Sequence, residues 1–213
     1  MDVAFAQSSY DVPRELIEKY SGQGPRYTSY PTAVEFHQGF SAATWQKTLL
    51  DWMNSTPTEP PTESRSISLY THIPFCRSLC YFCACHKIIT EDRTVVSPYL
   101  AAISRELSIY SKLLSDGNTS LAGLHWGGGS PNYLAPDEMR VLFESTIAAF
   151  PRINPAAEIS IEMDPRTTTT EQLSTIKRLG FNRISLGVQD FAPHVQEAVN
   201  RIQPFELTRD LVE

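Results

Sequence analysis

From Ser66 onward, strand-like and helix-like stretches take turns, and this constrains the fold more than any other feature of the sequence. SISLYTHI, LAGLHWG, EISIEM and RISLGVQ have the β-branched content and two-residue alternation of strands. Between them, SPYLAAISRELSIYSKLLS, PDEMRVLFESTIAAF and TEQLSTIKRLG carry helical spacing, with Pro136 placed for a first helical turn and Gly180 for a helix end. Strand, helix, strand in regular order predicts parallel strands joined by crossovers, in about four units.

The alternation inside the strands narrows the architecture. Ile67, Leu69 and Ile73 share one parity, and Ser68, Tyr70 and His72 the other. Likewise Ile159, Ile161 and Met163 oppose Glu158, Ser160, Glu162 and Asp164, and Ile184, Leu186 and Val188 oppose Ser185, Gly187 and Gln189. A doubly wound sheet, covered on both faces, would show nearly continuous apolar runs. One apolar and one polar face instead suits a curved sheet with helices outside and a ligand-filled lumen inside. An antiparallel sheet with one wet face is the competing reading, disfavoured by the intervening helices. Four units are too few to close a barrel. The expectation is an α/β partial parallel (β/α) barrel over residues 66–213, belonging to a longer protein.

Residues 1–65 read as an N-terminal extension. GPRYTSYPTAVEF is an extended arm, Ser41 is placed to cap a helix running to about Asn54, and STPTEPPTESRS is a linker whose prolines forbid a helix. PFELTRDLVE reads as a helix begun at Pro204. A formal net charge of -6 argues against non-specific nucleic-acid binding while leaving room for a local basic pocket. No apolar run reaches membrane-spanning length, and the start has neither a basic leader nor an apolar core. A cytoplasmic, monomeric protein without a membrane partner is expected.

All four cysteines, Cys76, Cys80, Cys83 and Cys85, fall in HIPFCRSLCYFCACHK. Disulfides within so short a window would close almost no loop. Thiols clustered around a tight turn suit a soft metal centre. Structural zinc usually draws on two separated cysteine pairs, whereas this window has no second pair to pin. Three thiolates at positions 76, 80 and 83 suit three corners of an iron–sulfur cubane with the fourth iron open, and zinc is the rival reading.

C-x3-C-x2-C after a first strand resembles the signature of radical S-adenosylmethionine enzymes. GPRYTSYPTA, LYTHIPFCRSLCYFCACHKIIT, HWGGGSPNYL, SIEMDPR, GFNRISLGVQDF and VNRIQ, in that order, resemble the oxygen-independent coproporphyrinogen III oxidase family from about Gly24 to about Gln203. A haem-chaperone-type relative is less similar: it lacks the arm and has Asp-Phe in the region of Ala84-Cys85-His86. The resemblance implies a [4Fe–4S] cluster on Cys76, Cys80 and Cys83, with Cys85 spare or otherwise employed. It also implies two S-adenosylmethionine molecules, coproporphyrinogen III as substrate and a flavodoxin- or ferredoxin-type electron donor. The implied reaction starts from a 5′-deoxyadenosyl radical and turns two propionates into vinyl groups.

By the same resemblance Tyr70, Phe82, Gly128, Gly129, Ser130, Glu162, Gln189 and Arg201 bind the cofactor. Each also has a plainer reading. Tyr70 and Phe82 could be core rings, the glycines a tight turn, Glu162 a paired rim acid, Gln189 a satisfied rim amide and Arg201 a surface cation. Glycines at the second strand's end let backbone approach a ligand and offer amides to an anion. Arg26, Arg166 and Arg183 are undifferentiated candidates for the substrate's carboxylates, and Tyr27 and Tyr30 of the arm are expected to cover the site.

Overall fold

The structure, a computed structural model, describes residues 13–21, 35–55, 65–114 and 119–213. It divides into two compact units, Met1–Thr48 and Leu49–Glu213. The described elements are α1 (Arg14–Tyr20), α2 (Ala42–Asn54), β1 (Arg65–Ile73), β2 (Phe75–Cys76), β3 (Ile88–Ile89), α3 (Val96–Leu113), β4 (Thr119–Gly128), α4 (Pro136–Ala149), β5 (Ile153–Met163), α5 (Thr170–Leu179), β6 (Arg183–Leu186), α6 (Pro193–Ala198) and α7 (Phe205–Val212). Ser41 caps α2 as expected, its hydroxyl accepting the Thr44 amide at 3.1 Å. Most of the arm and linker, with Arg26, Tyr27 and Tyr30, lies outside the described residues.

Four strands form one sheet in the order β1-β4-β5-β6, every neighbouring pair parallel. The expected parallel partial barrel is therefore what the chain builds, and the antiparallel alternative is excluded. The apolar parity of β1, β4 and β5 faces α3, α4 and α5, whereas in β6 Leu186 joins this core and Ile184 stays 44% exposed, against the expected pattern. Ile73, Leu124, Trp126, Ile159, Ile161 and Met163 pack with Val96, Leu100, Met139, Leu142 and Ile176. Ile73, Trp126 and Ile161 are fully buried, and removing each such side chain from water stabilises the fold by about 1.5–3 kcal/mol. Trp126 also sets its ring edge-on against Phe181, centroids 4.8 Å apart. The other parity is left lined with polar groups.

Helix ends follow local chemistry. Thr169 caps α5, its side chain accepting the Gln172 amide at 3.2 Å, while Gln172 Oε1 accepts the Thr169 amide at 3.0 Å. Gly180 closes α5 at φ 92, and Pro136 opens α4. RISLGVQ departs from expectation: β6 stops at Leu186, where the Val188 amide turns back onto Leu186 O at 3.0 Å, and Gln189 follows at φ 68. The α1, β2, β3 and α6 elements are too short to leave a periodic signal.

Candidate functional site

The cysteine loop hangs from a two-residue parallel pairing. Phe75 and Cys76 of β2 align with Ile88 and Ile89 of β3. The Ile88 amide donates to Pro74 O at 2.8 Å and the Thr90 amide to Cys76 O at 2.9 Å, so both stems are fixed. Inside the loop the Cys83 amide donates to Cys80 O at 3.0 Å, the tight turn that the thiol spacing implied. Lys87 Nζ donates to Cys83 O at 3.0 Å and to Cys85 O at 3.3 Å. From the far end of the chain, Asn200 Nδ2 donates to Leu79 O at 2.8 Å, and the Tyr81 amide donates to Val199 O at 3.0 Å. Asn200 makes this contact from a left-handed backbone, φ 54.

The ends of β4, β5 and β6 and this loop enclose a cavity of about 260 Å³. Cys76, Cys80 and Cys83 line it, as do Phe82, Gly128, Gly129, Ser130, Glu162, Gln189 and Arg201. Ten of the eleven residues proposed from sequence thus meet around one space. Tyr70 stands beside it on the polar face. Its ring stacks on His125 at 5.8 Å and its hydroxyl bonds to His72 Nδ1 at 3.0 Å. Parallel register explains this neighbourhood, since Tyr70 aligns with His125 and His125 with Ser160.

The Gly128 amide donates to Glu162 Oε2 at 3.2 Å, the Gly129 amide to Ile73 O at 2.8 Å and the Ser130 amide to Phe75 O at 2.9 Å. All three donate within the protein, Gly128 to a carboxylate and the other two to main-chain carbonyls. The need for glycine is steric: a Cβ on Gly129 would lie 2.7 Å from Pro74 O and 3.0 Å from Cys76 Sγ. Gly128 has φ 113 and its Cβ would meet the His72 ring at 2.6 Å.

Arg201 is not a surface cation. It is 8% exposed, bridging Cys80 Sγ at 3.4 Å and the Asp164 carboxylate. Arg166 and Arg183 are also engaged, Arg166 with Asp164 at 2.6 Å and Arg183 with Glu158 at 2.8 Å. Glu162 is both a cavity residue and a paired rim acid, with Oε1 3.5 Å from His125 Nε2. His125 in turn bonds through Nδ1 to Ser160 Oγ at 2.8 Å.

Asp164, passed over as a site residue although it continues the polar parity of β5, proves central. Asn132 holds it on both sides, accepting its amide at 3.0 Å and donating to its carbonyl at 2.9 Å. Burial pushes the Asp164 carboxyl up, but the Arg166 hydrogen bonds and the Arg201 and Arg166 charges outweigh that and hold it below the usual carboxylate range. Polar parity was the signal that marked it.

The residues present fit an iron–sulfur group. Burial raises the Cys76 thiol; the Ser130 hydrogen bond opposes this, and Cys83, Cys80 and Asp164 add to it. Burial and Cys83 likewise raise Cys85. Sulfurs that resist one another's ionisation are a donor set that a cationic group relieves. Among the described residues, no three Cys, His, Asp or Glu side chains converge on one ion. A cubane takes one thiolate per iron and so does not ask for such convergence. Gly129, bare against Cys76, leaves the sulfur room.

The model of the radical SAM superfamily matches residues 70–213. The chain is 43% identical to the oxygen-independent coproporphyrinogen III oxidase of Pseudomonas aeruginosa, over 93% of this chain and 42% of that protein. To its Synechocystis counterpart it is 44% identical, over 89% of this chain and 39% of that protein. Among solved structures, the coproporphyrinogen III oxidase of Escherichia coli, described as a radical SAM enzyme, superposes with a TM-score of 0.77 at 38% identity. That match covers 92% of this chain and 41% of the other. The chain therefore spans about two fifths of the length of these relatives.

Proposed function

The chain belongs to the radical SAM superfamily, and from that premise we propose that it is the cluster- and cofactor-binding part of an oxygen-independent coproporphyrinogen III oxidase. The reaction is oxidative decarboxylation of two propionate side chains of coproporphyrinogen III to vinyl groups. It gives protoporphyrinogen IX, with S-adenosylmethionine ending as methionine and 5′-deoxyadenosine. One observation carries the reading: three thiols in C-x3-C-x2-C spacing line a single cavity with Phe82, Ser130, Glu162, Gln189 and Arg201.

A [4Fe–4S] cluster held by Cys76, Cys80 and Cys83 supplies, when bound, the electron that reductive cleavage of S-adenosylmethionine requires. The chain's own residues place and shield. Glu162, fixed by the Gly128 amide and flanked by His125, presents a carboxylate to hydroxyl or amino donors of the first S-adenosylmethionine. Tyr70 flanks the same face, and Phe82 offers an aromatic surface for the adenine. Gln189 and Arg201, which line the same cavity, serve a second S-adenosylmethionine. A flavodoxin- or ferredoxin-type protein is the proposed electron donor. Among the described residues no helix is long and apolar enough to cross a membrane.

Anaerobic reconstitution with iron and sulfide, then dithionite and S-adenosylmethionine, tests the reading. We expect labile sulfide, a broad absorption around 400 nm, of the order seen for thiolate-bound clusters, and 5′-deoxyadenosine. All three signals should vanish when Cys76, Cys80 and Cys83 are changed to alanine. Stoichiometric zinc with no cleavage would overturn it.

A further inference from the structure

Of the four thiols only Cys80 is buried, and its sulfur has unusual company. Arg201 Nη1 points at it from 3.4 Å and Arg166 Nη2 from 3.6 Å. Both guanidiniums are held by one carboxylate. Arg166 Nε meets the two Asp164 oxygens at 3.0 and 3.2 Å, and its Nη2 meets Oδ2 at 2.6 Å. Arg201 reaches the same group at 3.2 and 3.3 Å. Two guanidiniums therefore stand within hydrogen-bonding range of a single buried sulfur, with one carboxylate behind them. The hydrogen-bond partners of the other thiols are different: Cys76 Sγ meets the Ser130 hydroxyl at 3.6 Å, and Cys83 meets the Cys85 thiol. Among the described residues, guanidinium N–H groups are aimed at Cys80 alone.

We propose that Arg166, positioned by Asp164, is a tuning residue that raises the reduction potential of an iron–sulfur cluster ligated at Cys80. This rests on the cluster reading above. Reduction adds one negative charge to the cluster and its sulfurs. An N–H donor aimed at a ligating sulfur, with an excess positive charge behind it, stabilises that added charge more than the oxidised state. Burial keeps water from screening the effect. Arg166 is thereby diverted from binding substrate carboxylates, because its fork is already filled by Asp164 and Cys80. The rigid bidentate pair also fixes the distance, which a lone flexible cation would not.

The test compares the anaerobically reconstituted parent chain with Arg166→Gln, Arg166→Lys and the control Arg183→Gln. Iron and labile sulfide are counted first. Midpoint potentials are then read by EPR-monitored redox titration without S-adenosylmethionine, so that ligand contacts of Arg201 do not enter. The expected order is parent highest, Arg166→Lys lower and Arg166→Gln lowest, with Arg183→Gln equal to the parent. Equal potentials in parent and Arg166→Gln, both fully loaded, overturn this proposal and leave the cluster reading standing. If Arg166→Gln takes up no cluster, Arg166→Lys decides: a lower potential than the parent supports the proposal and an unchanged one overturns it. Failure of both variants to load makes Arg166 a folding residue and overturns it. A parent that holds no sulfide overturns the cluster reading as well.

Discussion

Replacing Gly129 with alanine tests how tightly the site's backbone is drawn together. The new Cβ would lie 2.7 Å from Pro74 O and 2.8 Å from Pro74 C, whereas ordinary contact begins at 3.4 Å. Backbone must therefore give by about 0.7 Å, and it is backbone held at both ends, by Gly129 to Ile73 O at 2.8 Å and Ile88 to Pro74 O at 2.8 Å. Overpacking of this kind costs about 1–3 kcal/mol, and the stiffer unfolded chain returns about 0.4–1, leaving a net loss of roughly 1–2 kcal/mol. Gly180→Ala is the matched control. It faces nothing within 4 Å, and left-handed strain of about 1–2 kcal/mol, less the same unfolded-chain gain, leaves a net loss of roughly 1 kcal/mol. The two variants should thus unfold at similar urea concentrations yet differ at the thiols. Because the Gly129 Cβ also comes within 3.0 Å of Cys76 Sγ, iron and sulfide per chain should fall in Gly129→Ala and stay at parent level in Gly180→Ala. Parent-like stability and full loading of Gly129→Ala would refute the steric reasoning.

Other expectations follow from the same contacts. The depressed Asp164 carboxyl makes the unfolded chain bind more protons than the folded one between the lowered value and the ordinary one of about 3.9, so stability rises with pH across that window. It is fully present above that window and lost as pH falls through it. Urea midpoints taken from pH 6 downward should drop more steeply in the parent than in Asp164→Asn. Asn200→Ala removes the bond to Leu79 O and forces alanine into φ 54, a cost of about 2–3 kcal/mol. Hydrogen exchange at the Tyr81 amide should speed up, with amides of β4 unaffected. Thr169→Ala uncaps α5 and should lower stability by about 1 kcal/mol in urea titration, with Thr169→Ser restoring most of it.

How much of this was legible beforehand depends on how far apart the partners lie in the chain. Ser41, Pro136, Thr169 and Gly180 end their helices through neighbours within a turn, and all but Thr169 were read from residue type and place alone. The two faces of β1 and β5 were equally plain, because a strand exposes its pattern residue by residue. Arg201 was the hard case. Its spacing on PHVQEAVNRIQ fits a surface helix as well as a buried bridge, and it is buried because the chain returns 121 positions later to the cysteine loop. The partners of the Gly128, Gly129 and Ser130 amides were hidden for a related reason. Whether a donor is free depends on what the next strand places opposite it.

What the amino-acid order determined by itself is periodic or local: the strand–helix alternation, the polar and apolar faces, the caps, and four thiols in one window. Tertiary structure alone decided that Asp164, Arg166 and Arg201 converge on Cys80, that Asn200 clamps Leu79, and that Gly129 has no room for a methyl group. The physical reason is that strand order and register bring together residues whose separation along the chain carries no periodicity. Hydrophobic faces dictate which side of each strand is buried, but not which polar group on one strand will meet which on another.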